Sequence, residues 1–312
     1  MRGGSDTWHV RAGTPGLRPW HAPRQSRPSF DPHLAWPVIV GCPRSPPAAT
    51  RLPSRDIRSP TPVDHPTIRQ QFGAHAGEYV DNPVHARGAS LARLVALVPA
   101  QPGWEALDVA TGAGHTAFAF APRVARVRAT DITPEMLALT RQGAAERGLD
   151  NVVAEPAEAE ALPYKDGSFD LVTCRIAAHH FGDVDRFVRE AARVLRPGGV
   201  LAVADNIVPA GPAGDYVNAF EKLRDPSHAR CLCLDEWLAA FADAGLALMA
   251  GETVEKSIAF GRWAARHDPV MRRYLRAMLD QATGAAAEHL RPQSDGDGLA
   301  FRLVEGVLVG QR

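Results

Sequence analysis

Hydrophobic residues change their spacing repeatedly along this chain from about residue 66 onward. Short apolar runs, such as WEALDVA at 104–110 and SFDLVTCR at 168–175, are typical of buried strands. Between such runs lie segments with apolar residues at helical spacing, such as DVDRFVREAARVL at 183–195. Strands that alternate with helices predict an α/β fold, in which a mostly parallel sheet is covered by helices on both faces.

Seven strands are expected in this sheet. They are predicted at 104–110, 125–132, 152–158, 168–175, 200–208, 252–260 and 299–310. Thr133 and Pro134 fit the N-cap and the first position of a helix. The run Pro197-Gly198-Gly199 is expected to stop the helix over 183–195 before the fifth strand begins. Since ligands sit at the carboxyl ends of parallel strands, the loops at that edge are expected to line one site.

Two parts of the chain stand outside this alternation. Residues 1–62 contain 12 of the 26 prolines, which predicts a disordered tail because proline fixes φ and removes a backbone donor. A transit peptide or an extension upstream of the true start are the other interpretations of this segment. The folded domain is then expected to span 63–312. Within it, residues 262–293 are predicted to be helical, either as a lid over the site or as plain core.

Charge is uneven along the chain although the net charge is zero. Residues 1–62 hold nine Arg and three acidic residues, or about +6, and the rest carries about −6. An acidic body does not favour nucleic acid as a partner, since phosphates select clustered Lys and Arg. No apolar run approaches about 20 residues, so no integral membrane segment is expected. The four cysteines have neither disulfide-framework nor zinc-ligand spacing, which favours a cytoplasmic protein without a metal site.

The loop after the first strand carries the spacing of a nucleotide-binding turn. In ALDVATGAGHTAFAF at 106–120, Gly112, Gly114 and Ala117 satisfy the pattern G-x-G-x-x-G/A. The glycine pattern alone leaves NAD and other nucleotide-like cofactors open.

Acidic residues at the ends of the strands narrow this choice. Asp108 lies four residues before Gly112, where a carboxylate would repel a pyrophosphate but suits a cationic ammonium group. Asp131, at the end of the second strand, can accept both ribose hydroxyls of NAD or of an adenosyl cofactor. Glu158, after the third strand, can accept a hydrogen bond from an adenine amino group.

Five motifs follow one another in a characteristic order. They are LDVATGAGHTA at 107–117, ATDITPEML at 129–137, AEALPYKDGSFDLV at 159–172, RIAAHHF at 175–181 and EAARVLRPGGVLAVAD at 190–205. Together they resemble a class I S-adenosylmethionine-dependent methyltransferase, within the group of ubiquinone and menaquinone C-methyltransferases. The resemblance is strong over about 66–210 and looser from there to the end. It implies a Rossmann-like, mostly parallel seven-stranded sheet with an antiparallel last strand.

The resemblance also implies a role for each matching residue in binding S-adenosylmethionine. The implied set is Phe72 and Tyr79 as cover, Asp108, Ala110, Gly112 and Gly114 at the methionine end, Asp131 at the ribose, Ile132 against adenine, Glu158 and Ala159 at the adenine edge, and Arg175 where cofactor and acceptor meet. Ala110 stands where the family has its first glycine, and Glu158 stands where many members have Asp. We expect both departures to change cofactor affinity only modestly.

Two histidines after the fourth strand are the candidate catalytic residues. His179 or His180 could act as a general base if the acceptor must lose a proton, because imidazole titrates near neutrality. The alternative is that one caps the strand end and the other packs in the core. Asp205 and Asn206, at the expected end of the fifth strand, are predicted either to touch the acceptor or simply to be solvated.

The implied activity is transfer of a methyl group from S-adenosylmethionine to a small-molecule acceptor, hydrophobic or quinone-like by family analogy. An NAD(P)-dependent oxidoreductase is one alternative, since the glycine pattern permits it. The other is a non-catalytic module that binds the cofactor as a sensor or scaffold. A homodimer is compatible with the sequence.

Overall fold

The computed structural model describes residues 66, 67, 69, 72, 73, 88–295 and 298–312. All of these lie in one compact unit, Arg58–Arg312. The predicted tail over 1–62 lies outside the described residues, and so does Tyr79. The predicted domain boundary at 63 therefore stays a prediction.

Eight strands form one sheet in the described part of the chain. Their bounds are β1 (Glu105–Val109), β2 (Arg126–Asp131), β3 (Val152–Pro156), β4 (Phe169–Arg175), β5 (Leu195–Ile207), β6 (Ala247–Ala259), β7 (Gln293–Asp295) and β8 (Gly298–Gln311). Each of the seven predicted strands is present. The addition is β7, a short strand that pairs only with β8.

Helices connect these strands, as the alternating pattern predicts. Within the described residues their bounds are α1 (Ala89–Leu97), α2 (His115–Phe120), α3 (Pro134–Glu146), α4 (Val184–Val194), α5 (Pro212–Arg224), α6 (Leu234–Asp243), α7 (Phe260–Trp263), α8 (Pro269–Gln281) and α9 (Gly284–Leu290). A 3-10 turn, Ala178–His180, follows β4. Helix α3 begins at Pro134 after the extended Thr133, as predicted.

The strands lie in the order β3-β2-β1-β4-β5-β8-β6. β1 pairs parallel with β2 and β4, and β4 pairs parallel with β5, whereas β8 runs antiparallel between β5 and β6. This confirms a Rossmann-like, mostly parallel sheet with an antiparallel last strand. The order reverses between β1 and β4, so their carboxyl ends flank the crevice where such sheets bind ligands.

Apolar side chains cover both faces of the sheet. Phe187 of α4 and Trp237 of α6 pack in the cluster on one face, and Leu94 of α1 and Phe120 of α2 pack in the cluster on the other. The central strand β4 is accordingly buried over nearly its whole length. Burial on both faces explains why its sequence is a continuous apolar run rather than an alternating one.

The start of β5 differs from the prediction. The helix over 183–195 does end near its predicted position, but the strand begins at Leu195 and runs through Pro197-Gly198-Gly199. The reason is a tertiary pairing with the chain terminus. The backbone N–H of Gly198 donates to the carbonyl of Arg312 at 2.7 Å, and the N–H of Arg312 donates to the carbonyl of Gly199 at 2.9 Å.

Residues 262–293 are mainly helical, as predicted, with α7, α8 and α9 separated by short links and followed by the start of β7, and they contribute to a third apolar cluster. Leu275, Leu279 and Leu290 are buried there against Phe220 of α5 and Phe301 of β8. Part of this segment is therefore core, while its role as a lid stays a prediction. Among the described residues, no helix is long and apolar enough to cross a membrane.

Candidate active site

A pocket opens at the carboxyl ends of β1, β2 and β4, where the strand order reverses. Its walls come from the loops after β1, β2, β3 and β4, with Phe72 from a helical turn near the start of the described chain. The predicted cofactor-binding residues that line it are Phe72, Asp108, Ala110, Gly112, Asp131, Ile132, Glu158, Ala159 and Arg175. Gly114, the N-cap of α2, is not among the lining residues, and Tyr79 lies outside the described residues.

Asp108, in β1, is a wall residue of the pocket and has only 1% of its surface exposed. Its Oδ2 accepts a hydrogen bond from the hydroxyl of Thr111 at 2.6 Å, and its Oδ1 accepts one from the hydroxyl of Thr173 at 2.6 Å. Burial raises the pKa of Asp108 to about 6, although both hydrogen bonds and the charge of Arg175 lower it. A carboxylate in this environment gains from a cationic group that enters the pocket.

The loop after β1 holds a left-handed backbone at three positions. The φ angle is +51° at Ala110, +54° at Gly112 and +88° at Gly114. A Cβ at Gly114 would lie 2.5 Å from the ring of Phe118, whereas one at Gly112 would project into open space. A left-handed conformation costs an L-residue roughly 1–2 kcal/mol. Ala110 therefore forms the loop that was expected, but as a strained substitute for glycine.

Asp131 ties this loop to the end of β2. Its Oδ2 accepts from the backbone N–H of Gly112 at 3.0 Å, and its Oδ1 accepts from the backbone N–H of Thr133 at 2.9 Å. Burial raises the pKa of Asp131, and these hydrogen bonds lower it. The carboxylate is thereby oriented beside the pocket, and each oxygen keeps capacity for a further hydrogen bond.

The loop after β3 supplies the predicted acid and a second one that sequence reasoning missed. Glu158 is half-buried two residues beyond the strand, next to the buried Ala159. Glu160 is buried and accepts hydrogen bonds from the backbone N–H groups of Gly182, at 2.8 Å, and Asp183, at 3.2 Å. It therefore holds the loop after β4 in place, through partners too distant in sequence to leave a local signal.

Arg175 ends β4 with a buried guanidinium group. It donates from Nε to the hydroxyl of Thr116 at 3.2 Å and from Nη1 to the hydroxyl of Ser90 at 3.4 Å, which links β4 to α2 and α1. Burial lowers the pKa of Arg175. The next residue, Ile176, lines the pocket with a φ angle of +52°, which is rare for a β-branched residue. Strained backbone of this kind clusters at functional sites.

His179 is held by Asp205, which lies in β5. The backbone N–H of His179 donates to Oδ2 at 2.8 Å, and its ring Nδ1 lies 2.6 Å from Oδ1. Burial lowers the pKa of His179, but the charge of Asp205, the hydrogen bond to it and the charges of Glu221 and Asp225 together outweigh burial, so the pKa is raised overall. Solvation of Asp205 at a strand end, one of two expectations, is wrong because β5 continues to Ile207 and buries it.

His180 lines the pocket and has different partners. Its ring Nδ1 lies 3.1 Å from the carbonyl oxygen of Ser227 and 3.2 Å from its hydroxyl, which in turn donates to Asp225 at 2.6 Å. Burial lowers the pKa of His180 to about 4, so the ring is neutral at physiological pH. Phe72 meets this ring edge to face, with 4.9 Å between the ring centroids.

Comparison with known proteins identifies the group to which this architecture belongs. The methyltransferase domain family matches residues 107–203. An uncharacterised methyltransferase of Bacillus subtilis, YcgJ, is 40% identical over 201 residues, which cover 64% of this chain and 79% of YcgJ. The crystal structure of YcgJ superposes with a TM-score of 0.68 at 34% identity, and the match covers 72% of this chain and 97% of that one.

The chain belongs to the class I S-adenosylmethionine-dependent methyltransferases. Two relatives with shorter matches have more specific names. The 27-O-demethylrifamycin SV methyltransferase of Amycolatopsis mediterranei is 34% identical over 168 residues, or 53% of this chain and 61% of the relative. The ubiquinone/menaquinone biosynthesis C-methyltransferase UbiE of Brucella anthropi is 42% identical over 103 residues, or 32% of this chain and 39% of the relative.

The pocket of this methyltransferase has side chains that could hold S-adenosylmethionine. The buried carboxylate of Asp108 suits the α-ammonium group, and the oriented carboxylate of Asp131 suits the ribose hydroxyls. Ile132 and Met136 offer apolar surface for the adenine ring. The described residues of the methyltransferase contain no group of three His, Cys, Asp or Glu side chains placed to bind a metal ion.

Proposed function

We propose that this methyltransferase transfers the methyl group of S-adenosylmethionine to a small-molecule acceptor at the pocket beside β1, β2 and β4. The observation that carries the proposal is the environment of Asp108. Its carboxylate is buried, has a raised pKa, and lies beside a loop with a left-handed backbone at Ala110, Gly112 and Gly114. This combination supports a ligand that carries an ammonium group and a carboxylate on the same carbon atom.

In this proposal each part of the donor has its own partner. Asp108 receives the ammonium group, and the loop containing Ala110 and Gly112 receives the carboxylate of the methionine moiety. Asp131 accepts from the ribose hydroxyls, while Glu158 accepts from the adenine amino group. Charge-assisted hydrogen bonds of this type contribute about 1.5–3 kcal/mol each.

The chain contributes mainly by positioning. S-adenosylmethionine supplies a methyl group on a cationic sulfur. As an electron pair of the acceptor bonds to the methyl carbon, the bond between that carbon and sulfur breaks, and its electrons stay with the departing S-adenosylhomocysteine. Holding two reactants in line in this way can supply about 7–11 kcal/mol of the barrier. Phe72, Phe181 and Met136 give the pocket apolar walls that exclude water.

A small-molecule acceptor is supported by the names of two relatives, one for 27-O-demethylrifamycin SV and the other for ubiquinone and menaquinone biosynthesis. A hydrophobic or quinone-like acceptor follows from the same analogy. We also propose a cytoplasmic location, since the described cysteines, Cys174, Cys231 and Cys233, are buried free thiols.

Calorimetric titration with S-adenosylhomocysteine and, separately, with NADH tests the cofactor. Binding of S-adenosylhomocysteine without binding of NADH is the expected result, because Asp108 would repel a pyrophosphate. Tight binding of NADH with no response to S-adenosylhomocysteine would instead favour an oxidoreductase.

Turnover separates an enzyme from a sensor. Methyl-labelled S-adenosylmethionine and an extract of small metabolites are incubated with the protein, and labelled products are identified by mass spectrometry. We expect at least one metabolite to gain one methyl group in place of a hydrogen. Cofactor binding with no labelled product from repeated extracts would favour the non-catalytic module.

A further inference from the structure

His179 lies between a second group of polar side chains, which includes His228, and the pocket proposed to bind the methyl donor (the donor pocket). On one side its ring packs against His180, a wall of the pocket, with 4.1 Å between the ring centroids. On the other side it faces His228, with 5.5 Å between the centroids. Only one ring, that of His180, therefore separates His179 from the donor pocket.

Asp205 determines which nitrogen of His179 carries a proton. At 2.6 Å from Oδ1, the ring Nδ1 is placed to donate its hydrogen to the carboxylate. The lone pair of the neutral ring then lies on Nε2. Nε2 bonds to none of the described residues, and the side chain keeps 11% of its surface exposed. A carboxylate that orients an imidazole with its second nitrogen open is the arrangement that enzymes use for general bases.

We propose that His179, positioned by Asp205, takes the proton from a hydroxyl group of the methyl acceptor. This inference rests on the proposed function and deepens it, because it restricts the acceptor to hydroxyl compounds. It also covers methylation at oxygen and at the carbon of an enol or phenol, since both begin with loss of the hydroxyl proton.

The proton and the electrons balance in this step. The acceptor O–H bond breaks, its proton moves to Nε2 of His179, and the imidazolium is stabilised by the carboxylate of Asp205. The electron pair released on the acceptor forms the bond to the methyl carbon as the bond from that carbon to sulfur breaks. When the pair bonds from a ring or enol carbon, that carbon afterwards loses its hydrogen to solvent as a proton, and the oxygen regains a proton. His179 returns its proton to solvent once the product leaves.

The groups around His179 predict how its function varies with pH. Asp205 from β5, Glu221 from α5 and Asp225 after α5 raise the pKa of His179 by their negative charge, against the effect of burial. Burial lowers the pKa of His180 to about 4 and that of His228 to about 3, so these neighbours stay neutral near pH 7. Methyl transfer should therefore increase with pH as the His179 imidazolium loses its proton.

Nuclear magnetic resonance of histidine labelled with ¹⁵N tests the pair without any acceptor. In the wild type bound to S-adenosylhomocysteine, neutral His179 is expected to carry its proton on Nδ1. In Asp205→Asn the pKa of His179 is expected to fall, whereas His228→Gln, which removes a neutral ring of the same cluster, leaves it in place. A proton on Nε2, or an unchanged pKa in Asp205→Asn, would overturn the proposal.

Kinetics test the role in the reaction, with labelled S-adenosylmethionine and either catechol or the metabolite extract as acceptor. His179→Gln is expected to lower kcat by roughly 10²–10⁴-fold, the usual contribution of a general base. In a plot of kcat against pH, Asp205→Asn should lower the plateau. It should also shift the rising part of the curve to lower pH, because the pKa of His179 falls. A merely structural role for Asp205 would lower the plateau without shifting the rising part of the curve.

The failures of the two proposals can be told apart. Loss of S-adenosylhomocysteine binding, or absence of any labelled product from the wild type, would contradict the proposed function itself. Normal binding and turnover with an unchanged pH profile in His179→Gln would contradict only the role of His179. Label found on an amine nitrogen or on sulfur would overturn the acceptor class, whereas label on oxygen or on a hydroxyl-bearing ring supports it.

Discussion

Replacing Asp108 with asparagine is expected to stabilise the ligand-free protein near neutral pH while weakening its binding of the methyl donor. The folded-state pKa of Asp108 is about 6, whereas its ordinary value is 3.8. Because the folded-state pKa is raised, the protonated carboxyl group stabilises the fold. This contribution is complete at pH values below 3.8, the pKa of the unfolded chain, and it is lost as the pH rises through 6. At 1.36 kcal/mol per pKa unit, the ionised group costs the fold about 3 kcal/mol.

Asparagine removes this cost without leaving its partners unsatisfied. The hydroxyls of Thr111 and Thr173 can each donate to, or accept from, the amide that replaces the carboxylate. The free energy of unfolding of Asp108→Asn should therefore exceed that of the wild type by up to about 3 kcal/mol above about pH 7. The difference should close as the pH falls through 6 toward 3.8.

Urea denaturation of both proteins at several pH values measures this difference, and calorimetry with S-adenosylhomocysteine measures the binding. Loss of a charge-assisted hydrogen bond of about 1.5–3 kcal/mol corresponds to roughly a 10- to 150-fold weaker affinity. Curves of unfolding free energy against pH that run parallel in the two proteins would refute the reasoning. Asp205→Asn is the matched control with the opposite sign, because His179 lowers the pKa of Asp205 and its ionised form stabilises the fold.

Three further predictions concern the glycine loop, Asp131 and the tail. Ala110→Gly should raise the free energy of unfolding by up to about 1 kcal/mol, because relief of the left-handed strain exceeds the effect of the added entropy of the unfolded chain. Gly112→Ala should lower the free energy of unfolding, and urea denaturation measures both changes. Asp131→Ala should weaken S-adenosylhomocysteine binding by at least about tenfold in calorimetry, because both the ribose contact and the anchor of the glycine loop are lost, whereas the exposed Asp150→Asn should bind like the wild type. A chain without residues 1–62 should keep its melting temperature and its donor affinity, and a loss of either would contradict the prediction of a dispensable tail.

Much of the fold could be predicted from the sequence, because local patterns of apolar and helix-capping residues indicate the strands and helices. The run over 168–175 is apolar because β4 is buried on both faces, and Thr133-Pro134 marks the start of α3 because those residues suit a helix N-terminus. The early part of β5 could not be predicted. Proline and glycine favour a turn there, and the segment is extended because it pairs with Phe169 of β4 and with Arg312 at the far end of the chain.

Most of the residues that line the pocket could be predicted as well, because they follow strand ends at fixed spacing. The residues that contact His179 and His180 could not be predicted. Asp205 and Ser227 lie 26 and 47 residues from the histidines they contact, and neither carries a local signal of that contact. The strain at Ile176 is also invisible in sequence, since nothing about an isoleucine predicts a φ angle of +52°.

The walls of the donor pocket come from residues up to Phe181, whereas the groups that hold the two histidines lie between Asp205 and Ser227. The match to the methyltransferase domain family ends at residue 203, between the two. Substitutions in the second stretch therefore change the groups that hold the histidines without changing the residues of the pocket wall. For the same reason, we expect relatives that share the first stretch to be poor guides to each other's products, and the residues from Asp205 to Ser227 to be the better basis for sorting them.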